Sequence, residues 1–124
     1  MIIGIGIDII EINRIKKNLL AHPSMLDTIF TKKEIEYCSS KKNQAHHFAA
    51  RYACKEAFLK AIGTGWRDGI KYLDIEITND RLGAPVLTLY DKAKSLQDTL
   101  QIKHLHLSIS HTGTLATAIV ILEN

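Results

Sequence analysis

The sequence predicts one α+β domain, a mostly antiparallel sheet packed against a long central helix. Three observations predict it. An isoleucine-rich segment opens the chain at Ile2–Ile10, a largely apolar helical stretch occupies Asn43–Ile62, and alternating apolar and polar residues recur in the second half. Strands that follow one another across short turns pair antiparallel, and helices that do not alternate one-for-one with strands give α+β rather than α/β order. The 124 residues fit one compact domain spanning 1–124, with no linker or repeat to divide them.

Each element has its own signal. Ile2–Ile10, punctuated by Gly4 and Gly6, reads as a buried strand. From Glu11 to Ala21, Ile12, Ile15, Leu19 and Leu20 share one helical face, and His22 and Pro23 stop that helix. Thr31-Lys-Lys-Glu34 is a capping box opening a short helix to about Ser39. The longest helix starts at Asn43 as N-cap and ends at Ile62, with Gly63 as C-cap. After a Gly63–Gly69 loop, Leu73, Ile75 and Ile77 alternate in a strand over Tyr72–Thr78. Asn79–Gly83 is turn chemistry, and Pro85–Leu89 pairs back as a hairpin arm. A helix at Tyr90–Leu100 precedes two strands, Lys103–Ser110 and Leu115–Leu122, joined at Thr112–Thr114.

Composition narrows the function classes. A hydrophobic fraction of 46% supports a core, built from Ile, Leu and Ala because aromatics are only 6%. The net charge of +3 is mild, with basic residues crowded at Arg14, Lys16 and Lys17, at Lys32 and Lys33, and at Lys41 and Lys42. Such clusters attract phosphates or an acidic protein, or simply face solvent. A nucleic-acid binder would be more basic and would carry a reader motif. Cys38 and Cys54 have neither zinc-site spacing nor a disulfide framework, which suits a reducing cytoplasm. Asp8 interrupts the N-terminal apolar run, no basic n-region precedes it, and no apolar stretch reaches the roughly 18 residues of a membrane span. The chain reads as soluble and cytoplasmic, without a membrane or nucleic-acid partner. So small a chain has little room to enclose a large ligand, which favours an oligomer with clefts between subunits.

Four places carry possible chemistry. Asp8 ends an apolar strand, where a carboxylate needs a partner; it can cap the next helix through a D-x-x-E arrangement with Glu11, or hold a metal. Glu56 is the lone acid among Arg51, Lys55 and Lys60 on the long helix, beside Tyr52 and Lys60 on a helical wheel; it can pair with Lys60 at i+4, or join Asp8 around Mg²⁺. In the segment 104–112, His104, His106, Ser108 and Ser110 share one strand face, and Leu105, Leu107, Ile109 and His111 the other. That row is the solvent side of an edge strand, or supplies a base and hydroxyl donors to a phosphate; a zinc reading of the histidines lacks further ligands. Gly63-Thr64-Gly65 closes the long helix with exposed amides, though a helix C-terminus has the wrong dipole for anions. Neither nucleotide-binding glycine loop is present.

Taken together in this order, the motifs resemble the small holo-acyl-carrier-protein synthases of the phosphopantetheinyl transferase superfamily. The matching pieces are GIGIDIIEI at 4–12, FTKKE at 30–34, ARYACKEAFLKAIGTG at 50–65, GAP at 83–85 and HLSISHT at 106–112. The resemblance implies the 4′-phosphopantetheinyl transferase fold and transfer of 4′-phosphopantetheine from coenzyme A to a serine of apo acyl carrier protein. The reaction releases 3′,5′-ADP and supports fatty acid biosynthesis. It implies that Asp8 and Glu56 hold Mg²⁺ against the coenzyme A pyrophosphate, with Lys60 near the phosphates. Arg51, Gly63, Gly65, Pro85, Ser110 and His111 fall around the coenzyme, His106 near the reaction centre as a possible general base, and Arg14 at a docking position for the acidic carrier protein. A homotrimer with sites shared between neighbouring subunits is also implied. Ala84 stands where many relatives have Lys or Arg, so a phosphate contact is lost there. Two other readings compete: a metal-dependent phosphohydrolase using the same carboxylates, and a non-catalytic basic module for an acidic partner.

Overall fold

The computed structural model describes residues 1–63 and 69–124. The elements run β1 (Ile2–Glu11), α1 (Ile12–Ile15) continued by a π-helical turn (Lys16–Leu20), α2 (Pro23–Ile29), α3 (Lys32–Ser39), α4 (Gln44–Ile62), a 3₁₀ turn (Tyr72–Asp74), β2 (Ile75–Asn79), β3 (Pro85–Leu89), α5 (Asp91–Thr99), β4 (His104–His111) and β5 (Leu115–Glu123). The strands form an antiparallel sheet in the order β1-β5-β4 and a separate hairpin, β2-β3. The expected α+β class therefore stands, with two sheets in place of one.

Two glycines decide how α4 meets the sheet. A Cβ on Gly4 would lie 2.2 Å from the Ala61 carbonyl oxygen, and one on Gly6 would lie 1.8 Å from that of Ala57. Both glycines are therefore needed for the helix backbone to rest directly on the strand. Side chains alternate along β1, so Gly4, Gly6 and Asp8 share the face turned to α4, and Ile5, Ile7 and Ile9 share the other. Beyond this contact the core fills with Ala53, Cys54, Phe58, Ile75, Ile77, Val120 and Leu122. A second cluster of Ile12, Ile15, Leu19, Phe30 and Phe48 packs α1–α3 against the start of α4. Phe30 and Phe48 meet there as tilted rings, 4.9 Å between centroids.

The capping box forms as the sequence predicts: Thr31 Oγ1 accepts from the Glu34 amide, and Glu34 Oε1 accepts from the Thr31 amide. Gly63 ends α4 at φ +74°, the left-handed C-cap that favours glycine. Elsewhere the structure corrects the expectation. Asn43 precedes α4, but its side chain makes no capping bond; its carbonyl accepts from His46 and His47 instead. Pro23 stops the first helix and also opens α2 at its first turn, where a missing N–H costs nothing. The Tyr72–Thr78 strand begins only at Ile75, because the Asp74 carboxylate accepts from the Lys71 amide and winds Tyr72–Asp74 into a turn. In the β2-β3 turn, Asp80 accepts from Leu82 and Ala84 while Gly83 takes φ +89°. Among the described residues, no helix is long and apolar enough to cross a membrane.

Candidate active site

Asp8 and Glu56 line one cavity of ≈ 400 Å³, together with Ile9, Arg14, Asn18 and Tyr52. The forty-eight positions that separate the two acids are bridged by the Gly4 and Gly6 contact, which brings the end of β1 onto the C-terminal half of α4. Asp8 does not cap α1. The strand runs on to Glu11, which itself provides no side-chain cap, and the Asp8 carboxylate accepts from Lys60 Nζ at 3.0 Å. Lys60 also donates to the Ile7 carbonyl at 3.0 Å. Lys60 is thus paired with Asp8 and not with Glu56, its i−4 neighbour.

Glu56 is half-buried and accepts at Oε1 a short hydrogen bond from the Tyr72 hydroxyl. Tyr52 and Tyr72 approach each other through their hydroxyls at 3.3 Å. Burial raises the Tyr72 pKa well above the ordinary phenol value, and the bond to Glu56 raises it further, so this group is a neutral donor. Tyr52 is raised too, first by burial. Sequence reasoning placed Tyr52 beside Glu56 on the helix wheel but missed Tyr72, which arrives from a turn whose position no periodicity reveals.

The donor set fits Mg²⁺. Two carboxylates from separate elements supply hard oxygen ligands and leave the remaining positions to water or substrate phosphate. Asp8, with 14% of its side chain exposed, already draws the Lys60 ammonium to the place a cation would take. Among the described residues, no group of three or more His, Cys, Asp and Glu could hold a metal, so this is an open site and not a closed cage.

A second polar group lies around the first half of α4. Arg51 is 97% buried, donates from Nη2 to Asn79 Oδ1 at 2.6 Å, and lies over the Tyr37 ring at 4.2 Å, with Nε buried and unpaired. His46 meets His111 edge-on at 5.6 Å. Burial and then the Arg51, Lys41, His111 and His46 charges lower the His47 pKa, which marks a concentration of positive potential here. His47 and Lys60 are thirteen positions apart on α4, about 20 Å at 1.5 Å per residue.

The other expected site residues are dispersed. Arg14 reaches the Asp8–Glu56 cavity. Pro85 starts β3, and Ser110 and His111 are exposed at the end of β4. Gly63 caps α4 with open space around it, while Gly65 falls outside the described residues. His106 is not on the cavity. It stands exposed on the edge strand β4, and its ring is bonded to Glu123. The alternation expected for β4 is present, with Leu105, Leu107 and Ile109 half-buried and His106, Ser108 and Ser110 outward.

Comparison with known proteins decides the family. Residues 4–120 match the model of the 4′-phosphopantetheinyl transferase superfamily. The chain belongs to that superfamily. A holo-[acyl-carrier-protein] synthase of Geobacter sp. (strain M21) is 51% identical over 124 residues, covering 99% of both chains. That of Geotalea daltonii is 47% identical over the same length, again covering 99% of both chains. Among solved structures, the holo-[acyl-carrier-protein] synthase of Neisseria meningitidis superposes with TM-score 0.90 at 31% identity, covering 100% of both chains. The Bacillus anthracis enzyme, solved with coenzyme A (3′,5′-ADP), gives TM-score 0.81 at 39% identity, covering 98% of this chain and 96% of that one. The superfamily fold is thus the one built here, α4 laid on the β1-β5-β4 sheet.

Proposed function

We propose that this chain is a holo-acyl-carrier-protein synthase, transferring 4′-phosphopantetheine from coenzyme A to a serine of apo acyl carrier protein and releasing 3′,5′-ADP. Fatty acid biosynthesis is the use to which it is put. The observation that carries the reading is the meeting of Asp8 and Glu56 at one cavity, with Lys60 bonded to Asp8, in a chain half-identical to a synthase along its whole length.

The serine oxygen attacks the β-phosphorus of coenzyme A, a new P–O bond forms, and the bond to the bridging oxygen breaks. Negative charge grows on the bridging and terminal oxygens, and the 3′,5′-ADP leaves with the electron pair. Asp8 and Glu56 would hold Mg²⁺, which would supply Lewis-acid stabilisation of that charge. Lys60 adds a positive group that, with 56% of its side chain exposed, is free to turn from Asp8 to a phosphate oxygen. The serine proton needs an acceptor, which is either His106 or a water held beside Asp8. His106 becomes that base only where a neighbouring copy brings its sheet face to the cavity. Arg14, at the rim, provides a positive contact for an acidic carrier protein.

The uncovered sheet face supports assembly as a homotrimer. Ile5, Ile7 and Ile9 are 57%, 61% and 64% exposed, and in register with them stand Ile121, Ile119 and Thr117 on β5. A continuous apolar sheet face left in solvent is a binding surface. Copies joined there would combine the Asp8–Glu56 cavity of one chain with the Arg51 and His111 region of another, which suits a long coenzyme with phosphates at separated points.

Replacing Glu56 by Ala tests the metal assignment. Transfer should fall at least about 100-fold, the scale of several kcal/mol of lost charge stabilisation, while the melting temperature is kept. Wild-type turnover by that variant in saturating Mg²⁺ would remove Glu56 from the metal site.

A further inference from the structure

Against Glu56 stands a pair of hydroxyls to which the reaction above gives no task. Tyr52 lies one turn before Glu56 on α4, on the same side of the helix, and lines the cavity. Tyr72 comes from the 3₁₀ turn, and its hydroxyl donates to Glu56 Oε1. A hydroxyl has one proton to give, so with Tyr72's committed to Glu56 the 3.3 Å contact is Tyr52 donating to the Tyr72 oxygen. The two rings pack at 5.5 Å between centroids, tilted by 51°, which fixes the hydroxyls relative to each other.

Tyr72 is also held from its backbone. Its carbonyl accepts from Lys55 Nζ at 3.0 Å, and the same ammonium bonds Glu34 Oε1 and the Ile29 carbonyl, each at 2.7 Å. The orientation of Glu56 is therefore tied, through Tyr72, to a fully buried ion pair. A Phe at 72 would fill the same ring volume; what the hydroxyl adds is a directed bond to the carboxylate. A neutral donor suits that position, because an ammonium or guanidinium there would compete with a metal for the carboxylate charge.

We propose that Tyr72 is the positioning residue of Glu56, supported by Tyr52: its hydroxyl occupies Oε1 and leaves Oε2 as the oxygen offered to the metal. The proposal rests on the reading of Glu56 as a metal ligand. Carboxylates that bind metals are themselves held by hydrogen bonds, and loss of such an outer partner costs about 10–100-fold in metal affinity or activity.

The test compares wild type, Tyr72→Phe and Tyr52→Phe for Mn²⁺ binding in the presence of coenzyme A, followed by electron paramagnetic resonance, alongside Mg²⁺ titration of transfer. Tyr72→Phe should raise the Mn²⁺ dissociation constant about 10-fold and shift half-saturating Mg²⁺ equally. Its kcat in saturating Mg²⁺ and its KM for coenzyme A should stay within about twofold of wild type, since only the metal ligand is misaligned. Tyr52→Phe, which leaves Tyr72 in place, should weaken Mn²⁺ binding in the same direction by less, and it carries the test should Tyr72→Phe not fold. Unchanged Mn²⁺ binding in whichever folded variant is measured overturns the positioning role, whatever happens to kcat. A wild-type chain that binds no Mn²⁺ overturns the metal reading beneath it.

Discussion

On α4, Lys55 is fully buried and Lys60 mostly exposed, and the difference separates a cation locked in the core from one open to ligands. Lys55 gives its three protons to Glu34, Ile29 and Tyr72, a complete set for an ammonium. Burial lowers its pKa, and the Glu34 carboxylate opposes that shift. Glu34 is equally occupied: Oε1 accepts from Thr31 and Lys55, and Oε2 from the Ile77 amide at 2.8 Å. Cutting one partner from such a pair strands the other charge in the core, at a cost of about 3–5 kcal/mol. Lys55→Met should therefore lose stability on that scale in urea unfolding. A loss below about 1 kcal/mol would show the pair to be replaceable by packing alone. By contrast Lys60, anchored to a strand carbonyl and a carboxylate, can be drawn away by a phosphate without unsettling the core.

At the scale of elements, the close contact of β1 with α4 is what assembles the site. Gly6→Ala puts a methyl carbon within 1.8 Å of a helix carbonyl, so strand and helix must part. Overpacking of this kind costs about 1–3 kcal/mol and occasionally more. Because Asp8 is two residues beyond Gly6 on the same strand face, the variant should lose transfer activity by more than its melting temperature suggests. A variant with near-normal activity would mean that the cavity does not depend on the β1–α4 spacing.

Much of this level was legible from local chemistry. The Thr31–Glu34 box, the Gly63 C-cap and the Asn79–Gly83 turn each follow from residues within five positions of one another. What escaped depended on partners distant in sequence. Gly4 and Gly6 read as interruptions of a strand until the helix carbonyls above them are seen. Glu34 read as a cap and Lys55 as one of several helix charges, because nothing within either segment announces a bond across twenty-one residues. For Glu56 the i+4 rule named Lys60, whereas the strand beneath supplied Lys60 with a better-placed acid in Asp8 and a turn supplied Glu56 with Tyr72. Pro23 read only as a stop, since the same missing N–H that ends one helix permits the next to start.

For the whole molecule, the uncovered face of the sheet and the separation of the two polar groups along α4 are what the proposed assembly would explain. Ile7→Glu places a charge in the middle of the exposed isoleucine rows and should convert a trimer to monomer in analytical ultracentrifugation, with loss of transfer. A monomeric wild type, or a trimeric Ile7→Glu variant, would contradict the assignment of this face. The resemblance visible in the sequence reached this scale better than the residue patterns did. Motifs at 4–12, 50–65 and 106–112 indicated the superfamily, while composition indicated only a small soluble domain. The central claim is most directly tested by intact-mass spectrometry of an apo acyl carrier protein incubated with this chain, coenzyme A and Mg²⁺. A gain equal to one phosphopantetheine, abolished by EDTA, is the result predicted here. An unchanged mass, from carrier that a second transferase does modify, would contradict it.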